Sequence, residues 1–264
     1  MKNRIIYLVV ACIASLSMSG QKLKEAKADK QYDKLIDHIG LVNVVMITPD
    51  DIELVIGHSD VRRKFIDICI SQIDRVYLNS LSEYQKILEQ RNSQLKIFAK
   101  HKHFDEILIE NYDQKLAPLA QYIFKKRAEV LGILNQYFSQ YYKEFSSGQE
   151  VLTFNYISDL HSNDYASLLK ANIDKDLILE RTNTGIHKDD VVFEIDNFPL
   201  KKFGSQGQSK AFIIALKLAQ YKYLSDVLGT QPILLLDDMF EKIDEERAQK
   251  LIDLLSRSEE HTSE

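Results

Sequence analysis

A loop with two glycines directly before a predicted helix is the first feature of this sequence that could bind a ligand. The loop is Phe203-Gly204-Ser205-Gln206-Gly207-Gln208-Ser209-Lys210, and apolar residues recur at helical spacing after it. Because the first N–H groups of a helix lack acceptors and lie at the positive end of its dipole, such a loop can bind an anion. Ser205 would add a hydroxyl donor and Gln208 a side-chain amide. A simple turn before a helix explains the same residues, so the loop alone leaves both alternatives open.

Two adjacent carboxylates, Asp237 and Asp238, follow the apolar run Ile233–Leu236. Four consecutive large apolar residues predict a strand buried on both faces, as in a parallel sheet. Open α/β sheets bind their ligands at the carboxyl ends of the strands. One carboxylate at this place can hold Mg²⁺, and the other can orient or deprotonate a water molecule. The alternative is an acidic cap for a following helix, but the glycine loop upstream favours phosphate chemistry.

Long helices are predicted between Ser59 and Phe145, a segment whose only proline and glycine are Pro118 and Gly132. Their apolar residues recur every three to four positions, as from Tyr77 to Leu95. The polar faces of these helices are expected to carry seven candidates for DNA contact: Arg91, Lys96, Lys100, Lys102, Lys125, Lys126 and Arg127. The same residues are typical of any solvated helix surface, and from the pattern alone that interpretation is favoured.

Short runs rich in β-branched residues predict the strands that complete the fold. The predicted strands lie at Leu41–Thr48, Val151–Ile157, Leu177–Thr182 and Val191–Ile195. The polar loop Gly185–Asp190 lies between the last two runs, and it is either a hairpin connection or a loop that carries chemistry.

The composition limits the classes of protein that the chain can belong to. Of its 264 residues 45% are hydrophobic and 28% charged, values that allow a packed core and disfavour disorder. Nine Gly and four Pro are too few for a turn-rich all-β protein. With 34 Lys and Arg against 39 Asp and Glu, the net charge is −5, so any nucleic-acid contact requires a local basic face. Two cysteines exclude a disulfide framework, and we expect a reducing compartment.

The two motifs together resemble the second half of an ATP-binding-cassette (ABC) head. Ser205-Gln206-Gly207-Gln208 resembles the signature loop, Ile233–Asp238 the Walker B strand, and Lys242-Ile243-Asp244 the D-loop. More specifically, residues 32–256 resemble RecF, the bacterial DNA replication and repair family of the SMC-like ATPases. The other stretches that carry this resemblance are Asp37–Gly40, Thr48–Asp51, Ser59–Asp67, Gln90–Asn92 and Thr184–Asp190.

The resemblance implies an activity and a role for each motif. Two heads of this family enclose ATP, and the signature loop of one protomer (here Ser205, Gln206, Gly207 and Gln208) closes on the γ-phosphate bound to the other. Asp237 would then bind Mg²⁺, Asp238 would be the catalytic carboxylate, and Asp244 would belong to the D-loop. The family forms ATP-dependent homodimers in the cytoplasm and acts on DNA at single-strand gaps and stalled forks. It works with the recombination mediators RecO and RecR, and no membrane is involved.

The resemblance also implies an α/β fold: a partial P-loop NTPase head of the ABC type with an inserted lobe of long helices. We expect a head segment at residues 31–58, a helical arm lobe at 59–148 and the C-terminal half of the head at 149–256. The sequence departs from the family because no Gly-x-x-x-x-Gly-Lys-Ser/Thr phosphate loop (Walker A) is present in it. Whether this chain hydrolyses ATP by itself is therefore left open.

Both ends of the sequence have a foreign character. Residues 1–30 are similar to a secretory leader, with basic residues before an apolar run. Residues 257–264 resemble translated sequencing adapter, so the hypothesis is a chimeric gene product. Two alternatives to the RecF function stay open at this stage: an exported helical binding protein, which the leader favours, and an ABC-type ATPase head unrelated to DNA, such as a transporter head.

Overall fold

The computed structural model describes residues 39–145 and 150–237. The helices in these ranges are α1 (Glu53–Ile56), α2 (Ser59–Ser71), α3 (Arg75–His101), α4 (Glu106–Phe145), α5 (Tyr165–Ala171), α6 (Ile173–Leu179), α7 (Leu200–Phe203) and α8 (Gln206–Leu228). The strands are β1 (Val44–Ile47), β2 (Leu152–Ile157), β3 (Asp190–Ile195), β4 (Phe198–Pro199) and β5 (Ile233–Leu236). Short 3-10 turns occupy Pro49–Ile52 and Asp159–His161. From Gly40 onward the described residues form one compact unit.

Strands β1 and β5 form a parallel pair, in register from Val44 opposite Ile233 to Ile47 opposite Leu236. The predicted strands at Leu41–Thr48 and Ile233–Leu236 are therefore confirmed, as is the place of Ile233–Leu236 in a parallel sheet. The expectation that β5 is buried on both faces is wrong for the part of the chain that the structure describes. All four of its residues are half-buried, because β1 is the only described strand that pairs with it.

A second, antiparallel sheet has the strand order β2-β3-β4. Strands β2 and β3 pair from Leu152 opposite Ile195 to Ile157 opposite Asp190. Alternate residues of β3 are buried, which is the period-2 pattern of a sheet with one face on the core. The two corresponding predictions are confirmed, and the segment Gly185–Asp190 is not a hairpin connection because it joins helix α6 to β3.

The strand predicted at Leu177–Thr182 is wrong. Its first residues belong to helix α6, and the chain leaves the helix at Glu180 with a left-handed φ of 53°. A short apolar run fits a buried strand and a helix segment equally well, so periodicity alone could not separate them. The helical conformation places Asp176, which is fully buried, against helix α3.

Three long helices occupy the segment from Ser59 to Phe145, as the spacing predicts. Asp74 caps α3 by accepting a hydrogen bond from the Tyr77 N–H at 2.8 Å. The chain reverses at Lys102, which has a φ of 51°, and α4 then packs along α3 for much of its length. At about 1.5 Å per residue, the 40 residues of α4 span roughly 60 Å.

Helix α8 is the centre of the core. Apart from the half-buried Lys222, every residue from Ala211 to Leu224 is buried, so the helix is enclosed all round rather than on the single face that the sequence predicts. Phe212 packs on Phe138 of α4 and Phe193 of β3, with ring centroids 4.8 and 4.5 Å apart. Within residues 39–145 and 150–237, no helix is both long and apolar enough to cross a bilayer. The division into a head and an arm lobe stays a prediction.

Candidate nucleotide and nucleic-acid interface

The loop before α8 folds into a capping box, as a Ser followed three residues later by Gln allows. The Ser205 Oγ accepts a hydrogen bond from the Gln208 N–H at 3.1 Å, and the Gln208 Oε1 accepts one from the Ser205 N–H at 2.8 Å. The Gln208 amide nitrogen also donates to Glu150 at 3.3 Å. The Gln208 side chain is therefore used within the loop, whereas the Ser205 hydroxyl acts there as an acceptor and keeps its hydrogen available.

Gly204 permits the tight approach of this loop to helix α7. A Cβ at this position would lie 2.5 Å from the Leu200 Cδ1 and 2.7 Å from the Leu200 carbonyl oxygen, closer than real side chains approach. Ser205 and Gln206 are exposed. The box satisfies the N–H groups of Ser205 and Gln208, so those of Gln206 and Gly207 are left without an intrahelical acceptor. The predicted opening of a glycine loop onto a helix N-terminus is confirmed.

Asp237 lies at the carboxyl-terminal edge of the β1–β5 sheet, where its N–H donates to the Ile47 carbonyl at 3.0 Å. The acidic turn after β1 reaches the same edge, because the two strands are parallel. Asp51 in that turn is already engaged: it accepts from the Thr48 N–H at 2.8 Å and pairs with the Lys217 ammonium at 2.7 Å. Asp237 is exposed, which leaves its carboxylate accessible to solutes.

Asp237 could supply only part of the coordination of a Mg²⁺ ion. Nowhere in the described ranges do three His, Cys, Asp or Glu side chains converge so that they could hold a metal ion by themselves. Mg²⁺ commonly uses one or two carboxylates together with water and phosphate oxygens, and an exposed Asp at a strand end suits that arrangement. Asp238 and Asp244, the predicted catalytic and D-loop carboxylates, lie outside the described residues.

Lys217 is a residue that the sequence analysis missed. Its ammonium donates to the Met46 carbonyl at 2.9 Å and pairs with Asp51, so it ties the centre of α8 to β1 and to the acidic turn. It also lies 5.6 Å from the centre of the Phe65 ring. A lysine in the middle of an apolar helix was the available signal, because a buried charge needs a partner.

The placement of Arg91 and Arg127 on solvated helix faces is wrong. Their side chains are 0% and 3% exposed, respectively, and both are surrounded by acceptors. A guanidinium at the centre of the fold cannot reach a DNA phosphate, so neither arginine is in a position to contact DNA. The spacing of charged residues along a helix does not reveal whether neighbouring elements supply buried carboxylates. The sequence therefore predicted exposed positions for both arginines.

Arg127 of α4 joins helix α2 to the loop before β3. Its guanidinium pairs with Asp67 at 2.9 Å and Asp189 at 3.2 Å, and it donates to the Ile186 carbonyl at 2.8 Å. Tyr77 and Tyr156 donate their hydroxyls to Asp67 and Asp189. Burial by itself lowers the pKa of Arg127, but the surrounding carboxylates and phenol oxygens raise it overall.

Arg91 of α3 joins helices α4 and α6. It pairs with Asp113 at 2.7 Å and with the fully buried Asp176 at 2.7 Å, and it donates to the Thr182 hydroxyl at 2.8 Å. Burial raises the pKa of Asp113, and the Arg91 charge opposes that shift. The stretch Gln90–Asn92 thus contacts Thr182, two residues before the stretch Thr184–Asp190.

The segment Thr184–Asp190 is fixed by a chain of hydrogen bonds. The Tyr165 hydroxyl donates to the Thr184 carbonyl at 3.1 Å and lies 3.0 Å from the Tyr84 hydroxyl. The His187 Nε2 lies 3.1 Å from the Thr182 carbonyl and its Nδ1 lies 2.9 Å from the Tyr84 hydroxyl, so the tautomer that donates from Nε2 satisfies both. Burial lowers the pKa of His187 to about 4. The buried side chains of this loop form a structural network that positions helices.

The five lysine candidates are distributed differently from the arginines. Lys96, Lys100, Lys102 and Lys125 are exposed. Lys126 is half-buried beside Glu129 at 3.4 Å and Asp74 at 3.8 Å. The structure therefore leaves four of the seven predicted DNA-contact residues exposed.

Comparison with known proteins finds relatives that are named DNA replication and repair protein RecF. The chain is 44% identical over 237 residues to the DNA replication and repair protein RecF of Flavobacterium johnsoniae, covering 90% of this chain and 66% of the relative. The RecF of Cytophaga hutchinsonii is 42% identical over 238 residues, covering 90% of this chain and 63% of that relative. The chain belongs to the RecF family.

A solved structure agrees with this assignment to RecF. The recombination mediator protein RecF with ATP, of the RecFOR pathway, superimposes with a TM-score of 0.75 at 30% identity. The match covers 82% of this chain and 60% of that one. The predicted α/β fold of an ABC-type ATPase head with long helices is confirmed by this likeness. No protein-family model matches. The chain spans about two thirds of the length of the RecF relatives named above.

Proposed function

We propose that this chain acts as a DNA-binding ATPase subunit in DNA replication and recombinational repair. Its likeness to RecF relatives and to RecF with ATP supports this function over an exported binding protein or a transporter head. The observation that carries the proposal is the exposed, serine-capped N-terminus of α8. Its place of action would be the cytoplasm, at single-strand gaps and stalled forks, together with the mediators RecO and RecR.

The start of α8 would bind the γ-phosphate of ATP held by a second RecF head. The first-turn N–H groups and the positive end of the helix dipole attract a phosphate. The Ser205 hydroxyl would add one hydrogen-bond donor. Gly204 allows the loop to pack closely against α7. ATP bound in this way would hold two heads together, so association would depend on the nucleotide.

Asp237 would share a Mg²⁺ ion with phosphate oxygens at the carboxyl edge of the β1–β5 sheet. The ion would neutralise charge on the phosphates during transfer to water. Lys217 keeps Asp51 neutralised at the same edge, which leaves Asp237 as the accessible carboxylate of the two. The predicted role of Asp238 in orienting the attacking water stays part of this proposal.

The test distinguishes two roles of Ser205: capping helix α8 and binding the γ-phosphate. Asp and Asn both cap helices about as well as Ser, but only Asp places a negative charge where the γ-phosphate would bind. The chain is mixed with the full-length RecF of Flavobacterium johnsoniae, and association is followed by sedimentation velocity with and without ATP and Mg²⁺. We expect an ATP-dependent complex with the parent chain and with Ser205→Asn.

The Ser205→Asp chain should keep the helical circular dichroism of the parent and lose the complex. Association of Ser205→Asp equal to that of the parent chain would show that the start of α8 does not bind the nucleotide. No ATP-dependent complex with any chain would remove the proposed mode of dimerisation altogether.

A further inference from the structure

Four basic residues on α3 and on the segment that packs against it are here called the basic strip: Lys96, Lys100, Arg181 and Lys188. Lys96 and Lys100 are four residues apart on α3, so they lie on the same face of that helix. Arg181 and Lys188 belong to the segment between α6 and β3. All four side chains are exposed.

Helix α3 holds the second half of the basic strip in place. The Asn92 side-chain oxygen accepts hydrogen bonds from the Thr182 N–H at 2.7 Å and the Thr182 hydroxyl at 2.8 Å. Asn92 lies one helical turn before Lys96, so this contact fixes Arg181 beside Lys96. Both basic residues line one open cavity of about 530 Å³, together with Asn92.

The charge of the basic strip is not neutralised locally. In the ranges that the structure describes, no carboxylate forms an ion pair with any of its four members. The two buried carboxylates of this region are already engaged, Asp176 by Arg91 and the Asn183 amide, and Asp189 by Arg127. Glu180 is the one acidic residue in the wall of the cavity. Burial, with the positive charges of Arg181 and Arg63, lowers the pKa of Lys188, which indicates that cations are crowded here.

We propose that the basic strip binds the phosphodiester backbone of DNA, which makes Arg181 and Lys188 DNA-contact residues. The proposal rests on the proposed function and names the surface through which it acts. Four residues of helix advance roughly 6 Å, close to the rise of roughly 7 Å along the duplex axis between every second phosphate of one strand. The spacing of Lys96 and Lys100 therefore matches a regular polyanion, and the open cavity favours a backbone that passes along it over a ligand enclosed in a pocket.

The test compares two double variants that remove the same charge. Arg181→Gln/Lys188→Gln alters the basic strip, and Lys86→Gln/Lys115→Gln alters two exposed lysines that line a separate cavity. Binding to a fluorescein-labelled duplex with a single-stranded overhang is measured by anisotropy over a series of salt concentrations. Thermal unfolding checks that both variants fold.

The basic-strip variant should bind about tenfold more weakly for each removed charge at about 0.1 M salt, and its slope of log K against log salt should fall by roughly 0.9 per contact. The control variant should bind like the parent chain. If the parent binds and the basic-strip variant binds equally well, or if both variants lose the same affinity, the strip is not the contact surface while DNA binding stands. If the parent chain shows no salt-dependent binding, the proposed function fails and the basic strip fails with it.

Discussion

Arg127 shows how single residues decide the stability of this fold. Moving a guanidinium out of water is costly unless charges and hydrogen bonds replace its hydration. Arg127 meets that requirement with two carboxylates and a carbonyl supplied by α2 and by the loop before β3. The hydrogen bonding of Arg91 is less complete, since one of its terminal nitrogens, Nη2, has no hydrogen-bond partner among the described residues.

Replacing Arg127 by Met should lower the free energy of unfolding by about 3–5 kcal/mol, because it leaves Asp67 and Asp189 buried without a counter-charge. Urea denaturation followed by circular dichroism measures this loss. Lys125→Met, two positions away on the same helix and exposed, is the matched control and should change stability by less than about 0.5 kcal/mol. A loss below about 1 kcal/mol for Arg127→Met would mean that water replaces the ion pairs.

At the scale of the elements, two glycines differ in whether a larger side chain could replace them. Gly185 has a φ of 119°, and a Cβ there would overlap the Tyr165 hydroxyl. Gly132 is exposed in the middle of α4, and nothing lies within 4 Å of a Cβ at that position. The first glycine is required by the loop between α6 and β3, whereas the second only weakens a helix.

Gly185→Ala should therefore destabilise the protein by at least about 2 kcal/mol, through a strained φ and a steric overlap. Gly132→Ala should stabilise it by about 0.5–1 kcal/mol, because alanine restricts the unfolded chain and favours helix. Differential scanning calorimetry of the two variants beside the parent chain measures both shifts. The same sign of change for both would contradict the assigned conformations.

The sequence predicted those elements that have a clear period and clear ends. The helices from Ser59 to Phe145, the strands β1, β2, β3 and β5 and the glycine loop that opens onto α8 follow from spacing, β-branched runs and glycine. The helix at Ile173–Leu179 did not, because it is too short to show a period. At the candidate site, Asp237 and Ser205 were found from their neighbours in the chain. Lys217 and the partners of Arg91 and Arg127 were not, because contacts between distant segments leave no local pattern.

At the scale of the whole molecule, the missing phosphate-loop motif limits what the chain does alone. Without Gly-x-x-x-x-Gly-Lys-Ser/Thr, no loop of the printed sequence is of the type that surrounds the β- and γ-phosphates. We expect the isolated chain to release phosphate from ATP at the background rate in a coupled assay. Robust turnover that disappears in Asp238→Asn would contradict this expectation, because it would show that the chain assembles a catalytic site by itself.

The pairing of β1 with β5 has a consequence for how the chain is made. Val44 and Ile233 are neighbours in the sheet, although 189 positions (233 minus 44) separate them. At roughly 5–20 residues per second, β1 leaves the ribosome on the order of 10–40 seconds before β5. During that interval its hydrogen-bonding edge and its apolar side chains lack this partner. Unpaired strand edges of this kind promote aggregation. Slower translation should therefore lengthen the period in which the nascent chain needs chaperones.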